Sequence, residues 1–286
     1  MEFIRENPLQ GEPVPRSGRQ GVGKNESDPL SNKTEKQKVK TLFKIFPSPS
    51  ELAEAFAEDI SGRINSAGKS GLPFNLAVSG GNTPKLFFSI LADKYHASVN
   101  WGSVHFFWVD ERCVPPADPE SNYGMTKQIL LDKINIPVDN VHRMRGEDDP
   151  DREADRYAHE ILMNVRKKDM LPVFDQVILG MGDDGHTASI FPGNLNLIDS
   201  EKICEVAVHP LSGQKRITLT GKVINNADFI TFLATGQNKA RIIEEIYKKK
   251  AQYMNYPASS IDPLRGGIAW FLDEKAGELI KESLIC

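Results

Sequence analysis

From residue 41 onward, short apolar runs alternate with longer amphipathic ones. Over 50–65 the apolar residues Leu52, Ala53, Phe56, Ala57, Ile60 and Ile64 recur every three or four positions, which predicts a helix with one buried face. The segment 74–79 (FNLAVS) predicts a buried strand, and 84–94 a helix with Leu86, Phe87, Ile90 and Leu91 on one side. A second strand is predicted at 104–109 (VHFFWV), followed by helices over 122–134 and 151–168. Further strands are predicted at 174–179 (FDQVIL), 204–208, 217–219 and 229–234 (FITFLA). A helix over 238–249, a strand at 268–272 (IAWFL) and a last helix close the chain. Strands apolar on both faces and separated by helices predict a mainly parallel sheet with helices on both faces. No internal repeat interrupts the pattern, so residues 41–286 are predicted to form a single α/β domain.

The first forty residues differ. They hold eight apolar residues, four Gly and four Pro, without periodicity. Such a segment buries too little surface to offset its ordering entropy, so 1–40 is predicted to be a disordered tail. It lacks the apolar core of a secretory signal, and its six acidic residues oppose a transit peptide. The net charge of −4 opposes nucleic-acid binding driven by overall charge. No run approaches the roughly 18 apolar residues of a membrane span. The three cysteines, Cys113, Cys204 and Cys286, form no CxxC pair and no His/Cys cluster, which favours a reducing, cytoplasmic setting.

In parallel sheets ligands bind at the carboxyl ends of the strands. Three such ends carry polar loops. After FNLAVS comes Ser79-Gly80-Gly81-Asn82-Thr83-Pro84, which opens a helix. Glycines and a helix N-terminus let successive N–H groups converge on an anion, so this loop reads as a phosphate cradle or as a tight capped turn. It is not a Walker loop, since no Gly-Lys-Ser/Thr follows. After VHFFWV comes Asp110-Glu111-Arg112, where Arg112 can fork onto phosphate oxygens and Asp110 can meet a sugar hydroxyl; the bland alternative is a surface ion pair.

After FDQVIL comes Gly180-Met181-Gly182-Asp183-Asp184-Gly185-His186-Thr187. It matches GxGxxG, but Asp183 and Asp184 would repel a pyrophosphate. A histidine two residues from a carboxylate instead suggests acid–base work, because a carboxylate can fix the imidazole tautomer. A metal site lacks a third ligand in this motif. Lys215 and Arg216 precede a short strand and offer a second cation for a phosphate, or a strand-edge charge. His105, His142, His159 and His209 have no motif context.

Taken in order, SGGNTP, VDER, GMGDDGHTASIFP and KRITLT resemble the 6-phosphogluconolactonase family, within the superfamily that includes glucosamine-6-phosphate deaminases. The resemblance covers roughly 43–281. It implies a Rossmann-like α/β fold and hydrolysis of a sugar-phosphate lactone, 6-phosphoglucono-1,5-lactone, with no cofactor and no metal. It implies that Gly80, Gly81, Asn82 and Thr83 hold the phosphate with Arg112 and with Lys215 or Arg216. His186 would activate water, Asp184 would hold it, and Asp110 would contact substrate. The deaminases carry a Glu five residues after the histidine, where this chain has Phe191. Deamination, or non-catalytic sugar-phosphate binding, remain the competing functions.

Overall fold

The computed structural model describes residues 2–5, 40–263 and 265–285. The chain first runs β1 (Glu2–Arg5), β2 (Lys40–Phe46), α1 (Pro49–Lys69), β3 (Phe74–Val78), α2 (Asn82–Lys94), β4 (Val104–Trp108), β5 (Asp110–Arg112), α3 (Asn122–Ile129) and β6 (Val141–His142). It continues α4 (Pro150–Asn164), β7 (Lys167–Lys168), β8 (Leu171–Pro172), β9 (Gln176–Leu179), α5 (Asn196–Asp199), β10 (Cys204–Val208), β11 (Lys215–Leu219) and α6 (Gly221–Asn225). It ends with β12 (Phe229–Ala234), α7 (Ala240–Tyr247), β13 (Gly267–Asp273), α8 (Glu274–Gly277) and α9 (Lys281–Ile285).

Eight strands form one sheet in the order β1-β2-β13-β12-β9-β3-β4-β6. All neighbours are parallel except β1 with β2. Strand alternation divides the core between the two faces. Leu76, Val78, Phe106 and Trp108 pack with Phe56, Ile60, Phe87 and Phe88 of α1 and α2. Ala77, Phe107, Val177 and Leu179 face the other way, toward Tyr157 and Ile161 of α4 and Ile243 of α7. The sheet is therefore mainly parallel and covered on both faces, as the apolar runs predict.

From β3 the chain builds outward through β4 and β6; from β9 it builds the opposite way through β12 and β13. The β3/β9 boundary is thus the topological switch point, where the loops diverge and leave a crevice. The 79–84 and 180–187 loops leave from these two strands.

Three local expectations are corrected. The segment 110–112 is not a loop but the strand β5, which joins a second, antiparallel sheet of order β10-β11-β5. The β10–β11 hairpin offers an open edge, and three charged residues take it up by backbone pairing. The helix expected over 151–168 ends at Asn164, where Val165 turns extended (φ −102°, ψ 134°), and Asp169 and Met170, at positive φ, then make the turn of the β7–β8 hairpin. The disordered tail expected over 1–40 is corrected at Glu2–Arg5, where the free edge of β2 supplies backbone partners, and at Lys40, the first residue of β2. The remainder of that expectation, residues 1 and 6–39, lies outside the described residues.

The junction between β4 and β5 is pinned by Tyr157. Its fully buried hydroxyl accepts the Trp108 N–H at 2.9 Å and donates to the Trp108 carbonyl at 3.2 Å. Tyr157→Phe leaves both backbone groups buried and unpaired. It is expected to cost about 1–3 kcal/mol in chemical denaturation; an unchanged midpoint would show that the two bonds carry no net stability.

Candidate active site

β3 delivers the first loop. Ser79 Oγ donates to the Ile178 carbonyl at 3.0 Å and ties the loop to β9. Gly81 occupies the N-cap of α2 with φ 107°, no side chain caps the first turn, and no acidic residue lies within it. The N–H groups at this helix start are thus left for an anion. Gly80 is required by close approach: a Cβ there would lie 1.8 Å from Asn122 Oδ1. Gly80, Gly81, Asn82 and Thr83 all line one open cleft.

β5 and β11 deliver two guanidiniums. Their register sets Arg216 directly opposite Arg112, and both line the cleft. Arg112 Nη1 donates to the Glu120 carbonyl at 2.6 Å, while its buried Nε has no partner among the described residues. Arg216 is 9% exposed, and its guanidinium carbon sits 5.6 Å from the centre of the Phe191 ring. Burial lowers its pKa, opposed by Asp110. Asp110, also in the cleft wall, accepts the Ser189 hydroxyl at 2.7 Å.

β9 delivers the third loop. Asp184 Oδ1 lies 2.6 Å from His186 Nδ1 and accepts the His186 N–H at 3.1 Å. A Cβ on Gly182 would fall 2.1 Å from His186 Nδ1, so only glycine lets the ring fold back over this turn. Burial opposes ionisation of Asp184, but the bonds from the His186 ring and backbone prevail and hold its carboxyl at about 2. Ionised Asp184 takes a proton on Nδ1, which leaves Nε2 as the free imidazole nitrogen. His186 lines the cleft and Asp184 stands behind it. Among the described residues no three His, Cys, Asp or Glu groups converge as a metal site.

The structure thus brings Gly80, Gly81, Asn82, Thr83, Asp110, Arg112, His186 and Arg216 to one cleft. Asp184 stands behind His186 without lining the cleft, and Lys215 lies elsewhere. Strand alternation turns it to the opposite face from Arg216, where it is exposed and outside the cleft. Two cleft residues, Asn122 and Thr235, and the buried Ser189 behind the cleft wall escaped the sequence reading. Asn122 donates to the Asp110 carbonyl at 2.9 Å. Thr235 follows β12, and its hydroxyl meets that of Thr83 at 2.9 Å. Ser189 orients Asp110 from the third loop. Of these, Asn122 alone had a signal, as a polar residue at a predicted helix start.

The depressed Asp184 carboxyl predicts a pH dependence. Its folded pKa of about 2 lies below the ordinary 3.8, so its contribution to stability is complete above about pH 4 and fades as pH falls toward 2. Melting curves of the wild type and Asp184→Asn should therefore differ most above pH 4 and converge toward pH 2. A difference independent of pH would refute the hydrogen-bonded Asp184–His186 geometry.

Known proteins resemble the chain over most of its length. The family model for glucosamine-6-phosphate isomerases/6-phosphogluconolactonase matches residues 47–270. The chain is 46% identical over 209 residues to 6-phosphogluconolactonase of Haemophilus influenzae, covering 73% of this chain and 88% of that one. It is 42% identical over 238 residues to 6-phosphogluconolactonase of Aggregatibacter actinomycetemcomitans, covering 82% and 98%. The solved structure of 6-phosphogluconolactonase from Trypanosoma brucei superposes with a TM-score of 0.75 at 29% identity, covering 82% and 97%. With its cation pair, helix start and Asp–His loop carried on one matched domain, the chain belongs to the glucosamine-6-phosphate isomerase/6-phosphogluconolactonase family.

Proposed function

We propose that this chain hydrolyses 6-phosphoglucono-1,5-lactone to 6-phosphogluconate, the second step of the oxidative pentose phosphate pathway. One observation carries the reading. A single cleft holds two opposed guanidiniums beside an uncapped helix start, together with an imidazole backed by a carboxylate. The first set suits a dianionic phosphate, and the second suits proton transfer from water.

The N–H groups at Gly80, Gly81, Asn82 and Thr83, with Arg112 and Arg216, hold the phosphate; Lys215 takes no part. Asp110 accepts a sugar hydroxyl. His186 Nε2 takes a proton from water as its oxygen bonds to the lactone carbonyl carbon. The tetrahedral intermediate collapses, the bond to the ring oxygen breaks, and the imidazolium returns the proton to that oxygen. Asp184 holds Nδ1–H throughout and stabilises the transient positive charge. Anchoring the phosphate far from the carbonyl fixes the ring for attack, so an activated ester needs little more than a base.

Deamination is disfavoured by a specific feature. Phe191, 1% exposed, packs with its ring centre 4.9 Å from that of His186 and supplies no proton-transfer group. We place the activity in the cytoplasm, consistent with free Cys113 and Cys204. Among the described residues no helix is long and apolar enough to cross a membrane.

The deciding assay is lactone hydrolysis corrected for the spontaneous rate. Ammonia release from glucosamine 6-phosphate without lactone turnover would overturn the proposal. His186→Ala should lower kcat by about 10²–10⁴-fold while the dissociation constant for 6-phosphogluconate holds. Near-normal turnover in that variant would remove His186 from the role of base.

A further inference from the structure

The two cleft arginines pose a problem of their own. In an antiparallel ladder, like charges directly opposite one another repel, and Arg112 and Arg216 are in that register. Something must keep both forks aimed at the cleft when no anion lies between them. Residue 214, one position before β11, is on the same face of the chain as Arg216. The Gln214 amide oxygen accepts the Arg216 Nε–H at 3.3 Å. Its amide nitrogen donates to Glu120 Oε2 at 2.9 Å. The Glu120 carbonyl accepts Arg112 Nη1 at 2.6 Å. One side-chain amide therefore links both arginines through a single residue.

We propose that Gln214 is a positioning residue for phosphate binding, acting through Arg216 and coupling it to Arg112 by way of Glu120. The proposal rests on the reading of this cleft as a phosphate site. A neutral amide suits the task. It fixes the guanidinium by Nε and leaves both terminal nitrogens of Arg216 without a hydrogen bond among the described residues, free for a ligand. A carboxylate at 214 would instead pair with Arg216 and compete with the phosphate. An alkyl side chain would leave the Nε–H of a mostly buried cation unpaired. Glu120 also brings negative charge toward the arginine pair from outside the cleft wall.

The test is a double-mutant cycle read by calorimetric titration of the full chain with inorganic phosphate and with 6-phosphogluconate. Gln214→Ala should weaken both ligands by about 2- to 10-fold, the range for losing one hydrogen bond. In an Arg216→Ala background it should change neither. KM for the lactone should rise by the same factor, with kcat held within about twofold. Equal weakening in both backgrounds, or unchanged binding by Gln214→Ala, overturns the bridge while leaving the lactonase reading intact. If the wild type binds phosphate but does not hydrolyse the lactone, the lactonase reading falls and the bridge stands. If it binds neither ligand, both fall.

Discussion

The geometry of the cleft depends on a buried carboxylate that never enters it. Glu111 is 1% exposed. It accepts the backbone N–H groups of Arg112 at 2.7 Å, Asn122 at 2.8 Å and Tyr123 at 2.8 Å, and the Ser121 hydroxyl at 3.1 Å. Burial pushes its pKa up, and the three backbone donors offset only part of that rise. A carboxylate can be buried only when its lone pairs are satisfied in this way. The four donors come from β5 and the start of α3, so satisfying Glu111 clamps those two elements together. That clamp sets Arg112 in the cleft and presses Asn122 against Gly80 and the Asp110 carbonyl. Asp110 then reaches Ser189, just past the 180–187 loop. A single desolvated group thus ties β5 and the two switch-point loops into one rigid wall.

This rigidity matters because the protein is acidic, with a net charge of −4, while the proposed ligand is a dianion. Its overall field cannot recruit the substrate, so positive potential must be concentrated locally and negative charge turned away. The third loop shows how. Asp183 and Asp184, adjacent in sequence, stand as a potential barrier to any phosphate. Lys239 and Asn238 hold the Asp183 carboxylate, which keeps its pKa low, and His186 holds that of Asp184. Neither carboxylate lines the cleft.

What the sequence disclosed and what it concealed follow from the range of the interactions. Helices such as α1 and strands such as β3 announce themselves by local apolar period, and the loops at the switch point follow from strand order. β5 could not be read. Asp110, Glu111 and Arg112 have no strand pattern of their own and become a strand only because β11, over a hundred residues later, pairs with them. The same pairing decides between Lys215 and Arg216, since the face each takes is set by register rather than composition. Thr235 and Ser189 are small polar residues at element ends, indistinguishable in sequence from ordinary turn residues until Thr83 and Asp110 are found beside them. The β7–β8 hairpin rests on positive φ at Asp169 and Met170, residues that carry no glycine signal.

Phe191 joins the two halves of the proposed chemistry. Its buried ring lies 4.9 Å from the His186 ring, 5.1 Å from that of His209 and 5.6 Å from the Arg216 guanidinium carbon. The ring face favours the cation without neutralising it. A carboxylate at this position, between an arginine and an imidazole, would pair with one or the other. Paired with Arg216, it would cancel half of the cation pair proposed to hold the phosphate. Paired with His186, it would compete with Asp184 for the proton that sets the tautomer. An apolar residue here therefore does more than withhold deaminase chemistry: it lets the proposed anion site and the proposed base share one small cleft without quenching each other.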